Sequence, residues 1–210
     1  MGSDRFHNLM SRGLGNAARA IGDRYDVFRP RSAFNPLASE NLIMQMPVSL
    51  SSGSAGLRMP RGFERGIRAS FDAVVSEIGD YLRGKRGVLF IVALPPMRQP
   101  VCILTNASVD VLRAGGSRSA GLNSYGGVTE TSLAVVLGDW PVQIVSAGST
   151  RSGALPADGG QTNWSVAMPA TPVPVLPSDL LQDSAGRRYV VKTIEITEMG
   201  LWLSVRGSEV

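Results

Sequence analysis

The stretch that decides the fold is Gly87-Val88-Leu89-Phe90-Ile91-Val92-Ala93-Leu94. It lies between the basic pair Lys85-Arg86 and the proline pair Pro95-Pro96. A short apolar run between turn signals is typical of a strand that is buried on both faces. It is too short to cross a membrane, which requires roughly 20 apolar residues. The stretch therefore predicts a β-rich protein with a packed core and no membrane partner.

Further segments have the composition of strands, and turn signals recur between them. They are residues 66–74, 101–104, 108–112, 132–137, 142–145, 189–197 and 201–206. The last two predict a hairpin that turns at residues 198–200. Gly/Ser-rich stretches near residues 113–127 and 147–163 predict mobile loops. Short strands at this spacing predict a mainly β fold, with an SH3-like barrel or a sandwich as its core.

The N-terminus has the pattern of an amphipathic helix. Apolar residues recur there at spacings of three and four: Phe6, Leu9, Met10, Leu14, Ala17, Ala18 and Ile21. Arg5, Arg12 and Arg19 form a second, basic stripe. An isolated helix of this length is marginal in water, so we expect it to dock on another surface.

Residues 31–64 have the composition of a linker, with prolines and a Ser/Gly-rich run. They also contain the apolar stretch Leu42-Ile43-Met44, which is seldom left in water. These features together predict an extended arm that lies on a neighbouring molecule. The expected organisation is a docking helix and turn over residues 1–30, an arm over 31–64 and a β core over 65–210.

Two short units resemble each other. Asp80-Tyr81-Leu82 is followed by Gly87, and Asp179-Leu180-Leu181 is followed at the same spacing by Gly186. In each unit the glycine precedes an apolar strand that carries an aromatic residue, Phe90 or Tyr189. The units are either related β elements or a chance similarity between two hairpins, and the sequence leaves both open.

The titratable residues indicate no active site. The chain has one cysteine, Cys102, and one histidine, His7, which argues against a disulfide framework and a Cys/His zinc site. Residues 79–86 match a phosphate-binding loop except at Arg86, where that loop needs Ser or Thr. Cys102 lies in an apolar run and reads as a core residue. We therefore expect a protein that is not an enzyme and has no cofactor and no metal.

Charge is uneven along the chain. Residues 1–118 carry a formal charge of +7 and residues 119–210 carry −3, and 19 of the 21 basic residues are arginines. Such asymmetry is typical of a face that meets nucleic acid or an acidic partner, although ordinary solvated faces also produce it.

Three blocks of sequence resemble one family. The first is Gly22-Asp23-Arg24-Tyr25-Asp26-Val27-Phe28-Arg29-Pro30. The second runs from Ile78-Gly79-Asp80-Tyr81-Leu82 through the apolar run to residue 104, and the third covers residues 177–191. Together they are similar to head–tail connector proteins of tailed bacteriophages and prophages, which are also called neck or head-completion proteins.

This resemblance implies a virion protein that is assembled in the host cytoplasm. It implies a homo-oligomeric ring between the portal and the tail-completion or tail proteins, with non-specific contact to the genomic DNA in its channel. The basic residues expected to face that DNA are Arg58, Arg61, Arg65, Arg68, Arg83, Lys85 and Arg86. The residues expected to dock on partners are Phe6, Leu9, Met10, Leu14, Ile21, Leu42, Ile43 and Met44. The alternatives are a tail terminator, a baseplate or minor tail protein, and a small basic β-barrel that binds nucleic acid.

Overall fold

The computed structural model describes residues 2–51, 66–115, 133–149 and 162–208. These ranges contain one α-helix, α1 (Gly2–Ile21), a short 3-10 turn (Ser39–Asn41) and twelve strands. The first six strands are β1 (Asp23–Phe28), β2 (Leu42–Ser51), β3 (Ile67–Ser70), β4 (Tyr81–Gly84), β5 (Gly87–Ala93) and β6 (Val101–Leu104). The second six are β7 (Ala107–Ala114), β8 (Leu133–Ser149), β9 (Thr162–Met168), β10 (Leu180–Asp183), β11 (Arg188–Thr197) and β12 (Gly200–Ser208). Most of both loops predicted near residues 113–127 and 147–163 lies outside the described residues.

The strands close into two barrels of six. The first has the order β1-β2-β3-β6-β5-β4, and the second has the order β7-β8-β9-β12-β11-β10. Adding six to every strand number of the first barrel gives the order of the second, and all pairs in both barrels are antiparallel. The prediction of a mainly β barrel fold is confirmed, and the molecule contains two copies of the same barrel topology.

The predicted boundaries at residues 30 and 64 need correction. Leu42–Ser51 is strand β2, and it pairs with β1 from Asp23↔Val48 to Phe28↔Leu42. The first barrel therefore draws β1 from the predicted helical segment and β2 from the predicted arm. Two apolar residues of the predicted arm, Met46 and Val48, are buried in the barrel interior, while Pro47 between them is less buried. Pro47 disguises this strand, since proline is rare inside sheets.

Each barrel has a buried interior, and the two barrels share one hydrophobic cluster. The interior of the first barrel includes Val27, Leu82 and Ile91. The outer side of the same sheet carries Phe28, Tyr81 and Phe90, which are Cα partners across β1, β4 and β5. All three are at most 1 % exposed, and they belong to the cluster that forms the core of the second barrel. The two barrels thus pack directly against each other.

Tyr81 is central to this contact between barrels. Its hydroxyl donates to the carbonyl of Pro141 on β8 at 2.8 Å, and its ring lies edge-on to Trp140 with the centroids 6.4 Å apart. Complete burial raises the pKa of Tyr81 well above its ordinary value, so the phenol stays protonated and remains a donor.

Helix α1 docks on the first barrel through small residues. Ser11, Gly15 and Ala18 are buried, whereas the predicted docking residues Leu9 and Ile21 are 59 % and 77 % exposed. A Cβ atom on Gly15 would lie 2.9 Å from the Cβ of Asp72, which is closer than normal contact. The helix can approach this closely only because the facing residues are small.

Two glycines of α1 provide a matched test of this docking. Around Gly13 there is nothing within 4 Å of an added Cβ, so Gly13→Ala should stabilise the protein by up to about 1 kcal/mol. Gly15→Ala should instead destabilise it by about 1–3 kcal/mol, because the new methyl group forces the helix off Asp72. Urea unfolding gives both values, and amide hydrogen exchange in α1 should accelerate only in the second variant. Equal stabilisation by both substitutions would contradict the close contact.

Candidate functional site

A buried carboxylate is held by an arginine at the closure of the first barrel. Arg29 follows β1, and its Nε and Nη2 atoms donate to the two carboxylate oxygens of Asp80, each at 2.8 Å. Nη2 also donates to the carbonyl of Val75 at 2.9 Å, and Nη1 lies 2.7 Å from Glu77. The Asp80 side chain is 2 % exposed, and its hydrogen bonds to Arg29 raise the pKa of that arginine.

The second barrel contains the same arrangement. Arg113 on β7 donates from Nε and Nη2 to Asp179 at 2.9 and 2.8 Å, and from Nη2 to the carbonyl of Pro174 at 2.7 Å. The backbone amide of Leu176 donates to Asp179 at 2.7 Å, as the amide of Glu77 donates to Asp80 at 2.8 Å. The Asp179 side chain is 3 % exposed, and its hydrogen bonds raise the pKa of Arg113. We call these two arrangements the Arg–Asp clamps.

The backbone around the clamps repeats as well. The residues before the two aspartates, Gly79 and Ser178, both have positive φ, at 96° and 73°. The amide of Ile91 donates to the carbonyl of Asp80, and the amide of Val191 donates to that of Asp179, both at 2.9 Å. The two sequence units are therefore equivalent structural elements. Their alignment shifts by one residue on the second strand, because Tyr81 pairs with Phe90 whereas Leu180 pairs with Val190.

Sequence reasoning identified the aspartates of the clamps and missed the arginines. The signal for the arginines is a second repeat, Asp26-Val27-Phe28-Arg29 and Asp110-Val111-Leu112-Arg113. Each tetrapeptide lies at the end of the barrel's first strand, with Arg29 just after β1 and Arg113 near the end of β7. In each barrel the arginine of the tetrapeptide binds the aspartate of the clamp. The guanidinium and carboxylate of each clamp are mutually paired and hydrogen-bonded, which suits them to support the fold rather than to transfer protons.

The four described residues among those expected to face DNA do not form one surface. Lys85 and Arg86 are exposed in the turn between β4 and β5. Arg83 lies beside them on β4, where it is 3.2 Å from Asp26 and lies over the ring of Phe28 at 4.5 Å. Arg68 is half-buried on β3, three strands away around the barrel and therefore on its opposite side. Arg58, Arg61 and Arg65 lie outside the described residues.

The residues expected to dock on partners divide into two groups. Leu9, Met10, Ile21 and Leu42 are exposed, as a docking surface requires. Leu14, Ile43 and Met44 are half-buried, and the last two pack on the interior of the first barrel. The side chain of Phe6 lies outside the described residues.

The other candidate groups have structural explanations. Cys102 is fully buried in the first barrel, and burial raises the pKa of its thiol to about 12. Within the described ranges, no three His, Cys, Asp or Glu residues are placed to hold a metal ion. Over the same part of the chain, no helix is long and apolar enough to span a membrane.

Comparison with protein-family models, with curated proteins and with solved structures finds no match to this chain.

The Arg–Asp clamps are testable by removing the arginines. Arg29→Ala or Arg113→Ala leaves a buried carboxylate without its counter-charge, so each should lower the free energy of unfolding by at least about 3 kcal/mol. Arg83→Ala is the control, because the Arg83 side chain is 48 % exposed. Its ion pair with Asp26 and its contact with the Phe28 ring are each worth no more than about 1 kcal/mol. Urea denaturation of the three variants should separate them clearly. Similar losses in all three would show that the clamps are ordinary surface pairs.

Asp183 makes stability depend on pH in the acid range. Its side chain is 1 % exposed and accepts hydrogen bonds from Ala185 N at 3.0 Å, Arg187 N at 2.9 Å and Arg187 Nε at 2.7 Å. Burial by itself raises the pKa of Asp183, but these hydrogen bonds and the charge of Arg187 outweigh it and lower the pKa below its ordinary value. The stabilisation is therefore present above the unfolded-state pKa and is lost as pH falls through the folded-state pKa.

Asp183→Asn removes this titration. The variant should be less stable than the native protein at pH 7, and the difference should shrink as the pH is lowered from about 4 toward 2. Free energies of unfolding measured in urea across this range test the expectation. A difference that stays constant with pH would mean that the charge on Asp183 contributes nothing.

Proposed function

We propose that this chain is a structural protein of a tailed-phage virion. In this role it is a ring-forming head–tail connector that joins the portal to the tail and lines the DNA channel. The observation that carries the proposal is where the three family-like sequence blocks lie in the fold. Arg29 of the first block donates two hydrogen bonds to Asp80 of the second block. The third block contains Asp179 of the other clamp. The resemblance therefore rests on residues that close the barrels, not on scattered surface positions.

The architecture suits a subunit that bears load between two assemblies. The barrels share one continuous hydrophobic cluster that includes Tyr81 and Trp140, so they resist movement against each other. Helix α1 lies on the first barrel and keeps an exposed apolar edge, with Ile21 77 % exposed. Such an edge, rimmed by polar residues, is typical of a protein interaction site.

The channel-lining part of the proposal is supported by the turn between β4 and β5. Lys85 and Arg86 project there at the end of a rigid hairpin, with Arg83 beside them. Exposed cations attract DNA phosphates without reading sequence, which is what passage of a whole genome requires.

The decisive experiment locates the chain in purified phage particles. The chain has two lysines, Lys85 and Lys192, so amine-directed cross-linking would sample it poorly. A photoreactive amino acid in place of Leu9, which is 59 % exposed on α1, reports the neighbours of the helix. Mass spectrometry should find the chain in virions, cross-linked from this position to portal or tail-completion proteins.

The same photoreactive residue in place of Ile196, which is 79 % exposed on β11, is the matched control for non-specific capture. It should give a different set of partners from position 9. Absence of the chain from particles would overturn the proposal. Salt-sensitive DNA binding by the isolated monomer would then favour the basic nucleic-acid-binding barrel instead.

A further inference from the structure

The second barrel has an apolar row where the first barrel contacts its neighbour. In the first barrel, Phe28, Tyr81 and Phe90 are Cα partners on the outer side and are covered by the second barrel. The corresponding Cα partners in the second barrel are Leu112, Leu180 and Val190, and Val135 on β8 pairs with Leu112. We call these four residues the outer row.

The outer row is apolar and partly open to solvent. Val135 is 45 % exposed, and Leu133, two residues earlier on the same side of β8, is 38 % exposed. Leu180 and Val190 are half-buried. Their sequence neighbours Val111, Leu181 and Val191 point into the barrel and are at most 1 % exposed, so the outer row faces away from the barrel's own core.

The opposite end of the molecule carries a second open apolar patch, on α1. The position of α1 on the first barrel corresponds to the position of the first barrel on the second barrel. Gly15 of α1 approaches Asp72, two residues after Ser70, and Gly79 of the first barrel approaches Pro169, two residues after Ala167. Ser70 and Ala167 hold equivalent positions in the two barrels. Ser70 pairs with Ser49, two residues after Pro47, and Ala167 pairs with Gln143, two residues after Pro141.

The helix edge that remains open consists of Met10, Ala17 and Ile21, which share one side of α1 at spacings of seven and four. Met10 and Leu14 also line a shallow groove with Leu94 and Met97, and Met97 is 56 % exposed. We call Met10, Leu14, Ile21 and Met97 the helix patch. It lies beside the small residues that dock α1, since Ser11 lines the same groove.

From these two surfaces we infer that the outer row of one copy binds the helix patch of a second copy, head to tail. The order α1, first barrel, second barrel is then continued by the α1 of the next chain. The contact joins two different surfaces, so a pair of copies keeps one outer row and one helix patch free, and further copies can add. The inference rests on the ring-forming part of the proposed function and names its interface.

Two single variants and their mixture test the inference on the full chain. Val135→Asp places a charge on the outer row, and Ile21→Asp places one on the helix patch. Both positions are exposed, so neither change should impair folding. Each variant alone should raise the dissociation constant for self-association at least about tenfold, measured by analytical ultracentrifugation over a concentration series. Ile196→Asp, on an exposed position of the second barrel outside the row, should assemble like the native chain.

The mixture distinguishes a row-to-patch contact from a row-to-row or patch-to-patch contact. Ile21→Asp retains an intact outer row and Val135→Asp retains an intact helix patch, so the two should form a heterodimer that does not grow. Dimers of Ile21→Asp alone would show a row-to-row contact and overturn the inference. A native chain that stays monomeric, or native-like assembly of both variants, would also overturn it. Neither result would affect the presence of the chain in virions, which tests the proposed function separately.

Discussion

The pairing of a buried aspartate with an arginine from a distant strand is the interaction on which this fold depends. Removing a carboxylate from water costs several kcal/mol, and only close, charge-assisted hydrogen bonds offset that cost. Asp80 obtains them from Arg29 and from the amide of Glu77, so the end of β1 is tied to the connection that leads into β4. Since the pairing of β1 with β4 also closes the barrel, the clamp stabilises this closing pair of strands, the seam of the barrel.

Duplication of this seam explains the remaining architecture. Arg113 and Asp179 stabilise the second barrel in the same way, so both barrels of the chain have an equivalent outer side next to the seam. The two sides differ in their side chains. In the first barrel the row is aromatic and includes Tyr81, whose hydroxyl finds a carbonyl partner at Pro141 when buried. In the second barrel it is Leu112, Leu180 and Val190, which need no polar partner; Leu112 is buried, and Leu180 and Val190 are half-buried.

Strands with a continuous apolar run were predictable from sequence, and strands with broken patterns were not. Residues 87–94 and 101–104 correspond to β5 (Gly87–Ala93) and β6 (Val101–Leu104), because burial on both faces leaves a plain signal. Strands β1 and β2 were not predicted, because Pro30 and Pro47 are typical of a turn and a linker.

Only the aspartates of the clamps were identified from the sequence. Their partners lie 51 and 66 residues apart, and no local periodicity reports a pair at that distance. The face by which α1 packs on the first barrel was not predicted. Ser11 and Gly15 lie on that face and carry no hydrophobic signal, whereas hydrophobicity selects exposed residues such as Leu9 and Ile21.

The elements of the chain pack in one order, with α1 on the first barrel and the first barrel on the second, so the two ends of the molecule are different. The first barrel uses the row beside its seam to contact the second, and α1 covers the equivalent acceptor position on the first barrel, at Asp72. In the part of the chain that the structure describes, the helix patch and the outer row remain partly exposed at the two ends of this arrangement. A contact between two outer rows or between two helix patches would bury only one kind of surface, whereas a row-to-patch contact buries both kinds. Whether that contact closes into a ring or extends as a filament is set by the rotation between successive copies. The packing of Tyr81 against Trp140 fixes the two barrels relative to each other, so the surfaces at the two ends of each copy keep one relative orientation.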